Sequence, residues 1–157
     1  MHLPAGISAS AARLPQTYEA AKAALAECSA NDECKEWADK AAALASYAKQ
    51  ADDDQLEKMA MRIRARAIRR AGDLLKQIEP SKGGRPPEQT RVGDRPSLSR
   101  ADAAREAGMS PHQQKTAIRV ASIPAPDFDR QVESDAPPTL TKLASQGIQR
   151  RAVTEAA

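Results

Sequence analysis

Ser99-Arg-Ala-Asp-Ala-Ala-Arg-Glu-Ala-Gly-Met-Ser-Pro-His-Gln-Gln-Lys115, followed by Arg119-Val-Ala-Ser-Ile-Pro124, is the stretch from which the architecture can be read. Ser99 with Asp102 has the spacing of a capping box, and the helix it opens, from about Arg100 to Ala107, stops at Gly108. Ser110 then caps a second helix and Pro111 takes its first position, where a missing N–H costs nothing. That helix ends before Pro124. Helix, glycine turn and capped helix in this order is the layout of a helix-turn-helix, a module that sets its second helix in a DNA major groove.

Composition agrees with an all-α chain. Of 157 residues, 41% are hydrophobic but only 3% aromatic (Trp37, Tyr18, Tyr47 and Phe128), and much of the apolar content is alanine. Alanine buries little area, so the core has to come from close helix–helix packing. Charged residues make up 29% of the chain, and the mean hydropathy is -0.62. No run approaches the ~18 apolar residues of a membrane span. Residues 1–10 have neither the basic start nor the apolar run of a secretory signal. A cytoplasmic protein is the expectation.

Upstream of Ser99, apolar residues recur at helical spacing in three segments. Leu14, Tyr18, Ala21, Leu25 and Cys28 mark a helix from about Pro15 to Cys28. After a turn at Ser29–Asp32, capped by Asn31 or Asp32, the positions Trp37, Ala41, Leu44, Ala48 and Ala51 mark a second helix, Glu33 to Gln50. Asp52–Asp54 either caps a third helix or lies within one continuous helix, and capping accords better with the preference of Asp for N-caps. The third helix, Gln55 to Ile78, carries the stripe Leu56, Ala60, Ile63, Ala67, Ala71, Leu74 and Ile78. Three such stripes predict an antiparallel helical hairpin or a three-helix bundle with coiled-coil-like seams. Seams so rich in alanine are marginal alone, which predicts a homo-oligomer formed through residues 15–79.

Residues 80–98 hold four prolines and three glycines in nineteen positions without periodicity, the composition of a basic Pro/Gly linker. The expected organisation is a flexible arm (1–14), a self-association or interaction domain (15–79), the linker (80–98), a small helix-turn-helix bundle (99–147) and a tail (148–157). In the last bundle a further helix is expected from Asp127 to about Ser134. Another, capped by Thr139, runs through Gln146, and the tail frays from Gly147.

The net charge is +3 and the pI about 9.0. Lys58 to Lys76 contains seven bases against the single acid Asp73, and Lys82 to Arg119 contains eight bases against four acids. Clustered bases suit a polyanion, because each neutralised phosphate releases counterions. On the helix from Pro111 to Ser122, His112, Lys115, Thr116 and Arg119 fall opposite Gln114, Ala117, Ile118 and Ala121, with Gln113 near the start. Together with Ser110 these are the candidate DNA-contacting residues: Gln suits adenine, Lys and Arg suit guanine, and Thr reaches either base or phosphate. The alternative is a solvated helix face on a small bundle.

Arg62, Arg66, Arg69 and Arg70 share one face of the third helix. They read either as a phosphate-tracking stripe or as a solvated face partly paired with acids such as Asp73, four residues after Arg69. Lys82-Gly-Gly-Arg85-Pro86-Pro87 resembles the Gly-Arg-Pro core of an AT-hook, which enters a narrow minor groove, or is a plain basic linker. Lys82, Arg85 and Arg100 join the four arginines as candidate phosphate contacts.

No catalytic constellation is visible. His2 and His112 are isolated, no phosphate-binding glycine motif is present, and the carboxylates are scattered. No enzyme activity, cofactor or metal is expected. Cys28 and Cys34, six apart without further ligands, point to free thiols in a reducing cytosol, although both fall at a turn where a bridge could close.

Two resemblances follow from these residues. Gly108-Met109-Ser110, Arg119-Val120-Ala121-Ser122-Ile123-Pro124, Phe128, Val132 and Pro138-Thr139-Leu140-Thr141 follow the order seen in the DNA-binding domain of ParB-like partition proteins, over roughly Ala101 to Leu143. This resemblance implies specific duplex DNA binding with residues 112–119 as the reader. The nucleotide-binding motifs of that family have no counterpart, so its CTP switch is not implied. Trp37-Ala-Asp-Lys-Ala, Tyr47-Ala-Lys-Gln-Ala and Ile63-Arg-Ala-Arg-Ala-Ile-Arg-Arg-Ala-Gly-Asp-Leu-Leu, with the Lys-Gly-Gly-Arg-Pro linker, resemble helical proteins of bacterial prophages and mobile elements. The expectation is a DNA-binding protein of that setting, acting in transcription control or in replication or partition. The alternative is a non-enzymatic adaptor whose N-terminal helices bind a phage or host protein.

Overall fold

The computed structural model describes residues 14–78 and 99–148. They form seven helices: α1 (Leu14–Glu27), α2 (Asn31–Gln50), α3 (Asp54–Lys76), α4 (Arg100–Glu106), α5 (Pro111–Ala121), α6 (Ala125–Val132) and α7 (Leu140–Gln146). No strand occurs among the described residues, and the all-α expectation holds. Residues 1–13, 79–98 and 149–157 lie outside the described residues. They include Lys82 and Arg85, the whole of the predicted linker, and all of the predicted arm and tail except Leu14 and Ile148.

Local chemistry sets most helix boundaries. Asp53 opens α3, its carboxylate accepting from the Leu56 N–H at 3.1 Å, so α2 and α3 are separate helices. Before it, Asp52 adopts φ 54°, the left-handed conformation. There the Asp52 N–H reaches Lys49 O at 3.2 Å and the Asp53 N–H reaches Ala48 O at 2.9 Å, the paired bonds of a Schellman ending. Ser99 caps α4 and Thr139 caps α7 through their hydroxyls. The predicted box at Ser99 closes on one side only, because the Asp102 carboxylate pairs with Arg105 at 3.2 Å.

Three boundaries depart from expectation. Ala30, not Asn31 or Asp32, occupies the N-cap of α2 and supplies no side-chain bond. Asn31 is already helical, and its buried Oδ1 finds no partner among the described residues. α6 starts at Ala125 rather than Asp127, since Pro126 in its first turn is preset for the helix and gives up only an N–H that would go unused. Gly147 is ordered and buried at the end of α7, its α-carbon so close to the Arg119 carbonyl that a Cβ would sit 1.6 Å from that oxygen.

α3 is the spine of the molecule. Its predicted stripe packs with Tyr18, Ala21 and Leu25 of α1 and Ala38 and Ala41 of α2, around Met59, Ile63 and Ala67. Further along, the stripe residue Ala71 and its neighbour Leu75, which the stripe did not include, are buried against Ala104, Met109 and Ala117. A third cluster joins Ala65 to Val120, Ile123, Phe128, Val132 and Leu143. Ile68 packs against all three clusters. Fully buried side chains such as Phe128, Leu75 and Leu143 each contribute about 2 kcal/mol of apolar transfer energy. Segments 14–78 and 99–148 therefore share their cores. Where α3 crosses α5, Gly72 permits the contact: a Cβ there would lie 2.0 Å from Ala117 O.

Candidate functional site

The polar face of α5 is fixed by the turn that precedes it. Gly108 adopts φ 81°, with its N–H on Arg105 O at 3.0 Å and the Met109 N–H on Ala104 O at 2.8 Å. Met109 and Ala104 also meet in the core, which completes a Schellman ending of α4. One residue later Ser110 starts α5 with a full capping box. Its hydroxyl accepts from the Gln113 N–H at 3.1 Å, and the Gln113 side-chain oxygen accepts from the Ser110 N–H at 2.9 Å. Serine with glutamine three residues on is a legible signal that the sequence reading used only in part. Ser110 and Gln113 thus spend an acceptor each on the backbone, and the Gln113 amide nitrogen remains to face outward.

Beyond the cap, the candidate residues divide. His112, Gln113 and Lys115 are exposed, whereas Thr116 and Arg119 are half-buried. His112, Gln113, Thr116 and Arg119 line a groove of about 380 Å³. Its other walls come from α2 (Lys35, Asp39), α3 (Arg64, Ile68) and the start of α7 (Thr139, Leu140, Thr141). Lys115 lies outside it. Lys35 and Arg64 are the residues that sequence reasoning missed at this place. Arg64 was visible as a base, but only packing separates it from the neighbouring arginines.

Those neighbours are engaged within the chain. Arg62 donates to Val132 O and Ser134 O, both at 3.0 Å, at the end of α6. Arg69 donates to Val120 O at 3.1 Å, near the end of α5, with its guanidinium 4.5 Å from the Phe128 ring centre. Arg70 donates to Cys28 O at 2.7 Å, just past α1. Arg100 donates to Ile78 O at 2.6 Å and Lys76 O at 3.1 Å, at the end of α3. Each cation reaches carbonyls at or near a helix C-terminus, where backbone acceptors outnumber donors and the negative end of the helix dipole favours a positive charge.

Arg66 has a different set of partners. It pairs with Glu133 at 2.7 Å and Asp129 at 3.0 Å and donates to the Tyr18 hydroxyl at 2.7 Å. The Tyr18 hydroxyl in turn donates to Glu133. Burial and the bond to Glu133 push the Tyr18 phenol up to about 12. Burial would raise the Glu133 carboxyl, but hydrogen bonds from Tyr18 and Arg66 outweigh it and hold the group below its ordinary value.

Cys28 and Cys34 are free thiols with their sulfurs 3.3 Å apart, the Cys34 thiol donating to Cys28. Burial, then the contact with Cys28, pushes the Cys34 thiol up to about 12. Among the described residues no cluster of three or more His, Cys, Asp or Glu side chains could hold a metal ion. No described helix is long and apolar enough to cross a membrane. Comparison of the chain with family models, with curated proteins and with solved structures finds no match.

Proposed function

We propose that the protein is a sequence-specific binder of duplex DNA that sets the N-terminal half of α5 in the major groove. The observation that carries this reading is the first turn of α5. A full capping box holds it, and it presents His112, Gln113 and Lys115 to solvent, with Arg119 one turn further along. Recognition helices reach base edges from their N-terminal residues, and these side-chain types suit adenine and guanine edges and phosphates. The resemblance to ParB-like DNA-binding domains and to helical proteins of prophages and mobile elements supports the same reading. It suggests a role in transcription control or in replication or partition, with self-association through the N-terminal helices.

Arg62, Arg66, Arg69, Arg70 and Arg100 have intramolecular partners, so the proposal rests on α5 and the groove beside it. Selection of the full chain on random duplexes at two salt concentrations tests it. The expected result is an enriched motif and an affinity that falls steeply with salt. Replacing Lys115 and Arg119 together by Ala weakens binding by about 2 kcal/mol or more. Unchanged binding in that double variant refutes the assignment of this face. Absence of binding at low salt refutes the DNA reading itself and favours an adaptor that binds a phage or host protein.

A further inference from the structure

We infer that the groove between α2, α3, α5 and α7 is a binding site for a small phosphate monoester with an apolar or aryl body, the chemistry of a mononucleotide. Its volume of about 380 Å³ lies within the size range of ligand pockets. Lys35, Arg64 and Arg119 line it against a single acid, Asp39, whose carboxylate is already held by Lys35 at 2.6 Å. The surplus charge is basic, which matches an anion.

The contrast among the arginines sharpens this. Arg62, Arg66, Arg69, Arg70 and Arg100 all donate to carbonyls or carboxylates of the fold. Arg64 and Arg119 donate to no other described residue, and both border the groove. A guanidinium offers a planar fork of donors that fits two oxygens of a phosphate. The remainder of the lining is mixed. Ile68, Met109 and Leu140 supply an apolar surface, while Thr116, Thr141 and Ser145 supply hydroxyls. A bare inorganic ion would leave that apolar surface wet. A ligand with both a phosphate and an apolar body uses the whole lining.

The ligand site stands on the groove alone. One consequence rests on the DNA reading: His112, Gln113, Thr116 and Arg119 belong to both surfaces, so the small ligand and duplex DNA exclude one another.

Calorimetric titration of the full chain with adenosine 5′-monophosphate tests the site, with adenosine and inorganic phosphate as probes that each lack one half. The expected result is one bound mononucleotide per chain, with either half-probe weaker by at least about tenfold. Arg64→Ala is expected to lower mononucleotide affinity by at least about tenfold. Ser145→Trp, a change at an exposed position of α7 beside the groove, blocks binding sterically while leaving the charge intact, and thermal melts verify that both variants fold. The proposal is overturned if mononucleotide binds no tighter than inorganic phosphate, if both folded variants bind as the parent does, or if no heat is observed.

A labelled duplex separates this from the DNA reading. Displacement of the duplex by mononucleotide supports the shared surface. Mononucleotide binding without displacement keeps the ligand site and refutes the placement of DNA on this face. Duplex binding without mononucleotide binding overturns the ligand site alone.

Discussion

Arg66 illustrates how a single side chain can be misjudged from its position in a helix. With Arg62, Arg69 and Arg70 it forms a row opposite the apolar stripe, and on an isolated helix that row would face water. In the folded chain it joins α1, α3 and α6 through Tyr18, Asp129 and Glu133. Arg66→Ala is expected to destabilise the protein by about 2 kcal/mol, less than for a fully buried pair because both carboxylates are partly solvated. Chemical denaturation at neutral pH measures it. The same network sets two pH limits. The folded-state pKa of Glu133 is lowered, so its contribution is complete above the ordinary value of 4.5 and is lost as pH falls through the lowered value. That of Tyr18 is raised, so its contribution is complete below 10 and is lost as pH rises towards about 12. Stability measured across pH should fall at both ends, and Tyr18→Phe should reduce the alkaline loss, leaving the part that the buried Cys34 thiol contributes. An alkaline limb unchanged by Tyr18→Phe would refute that assignment.

At the scale of elements, turns and caps were largely legible because their chemistry is local. Ser99, Ser110 and Thr139 cap the helices that the sequence predicts, and Asp53 separates α2 from α3. Asp52 is the costly residue of that turn, a non-glycine side chain at φ 54°. Asp52→Gly should therefore stabilise the chain by about 0.5–1 kcal/mol, read as a higher denaturation midpoint at unchanged slope. The crossing of α3 over α5 behaves oppositely. A methyl group at Gly72 would meet the Ala117 backbone at 2.0 Å, and backbone cannot rotate aside. Gly72→Ala should lower stability by about 3 kcal/mol or more despite its better helix propensity. A neutral effect in thermal unfolding would show that the two helices do not cross there.

At the scale of the molecule, the shared clusters make the two segments interdependent. Leu75, buried completely, packs with Ala104, Met109 and Ala117, and Ala65 packs with Phe128 and Leu143. Residues 14–78 alone would expose this face of α3 and lose the carbonyl partners of Arg62 and Arg69. Such a fragment is expected to lose cooperative unfolding, as followed by circular dichroism during heating. A fragment that melts cooperatively near the temperature of the full chain would refute the dependence.

Helical class, the approximate span of each helix and the capping of α3, α4, α5 and α7 came from periodicity and local hydrogen-bonding chemistry, which act within a few residues and leave a readable pattern. Three things came from packing between distant segments. The arginine row of α3 became a set of carbonyl and carboxylate clamps, because α5 and α6 lie against it and leave their terminal groups to be satisfied. Leu75 and Gly72 became core positions, because α3 is covered on more than the one face its stripe announced. Lys35 and Arg64 came to border the same groove as Arg119, because α2, α3 and α5 meet there from places far apart in the chain. Side-chain partners of that kind depend on which surfaces close on one another, and no spacing within a single helix encodes it.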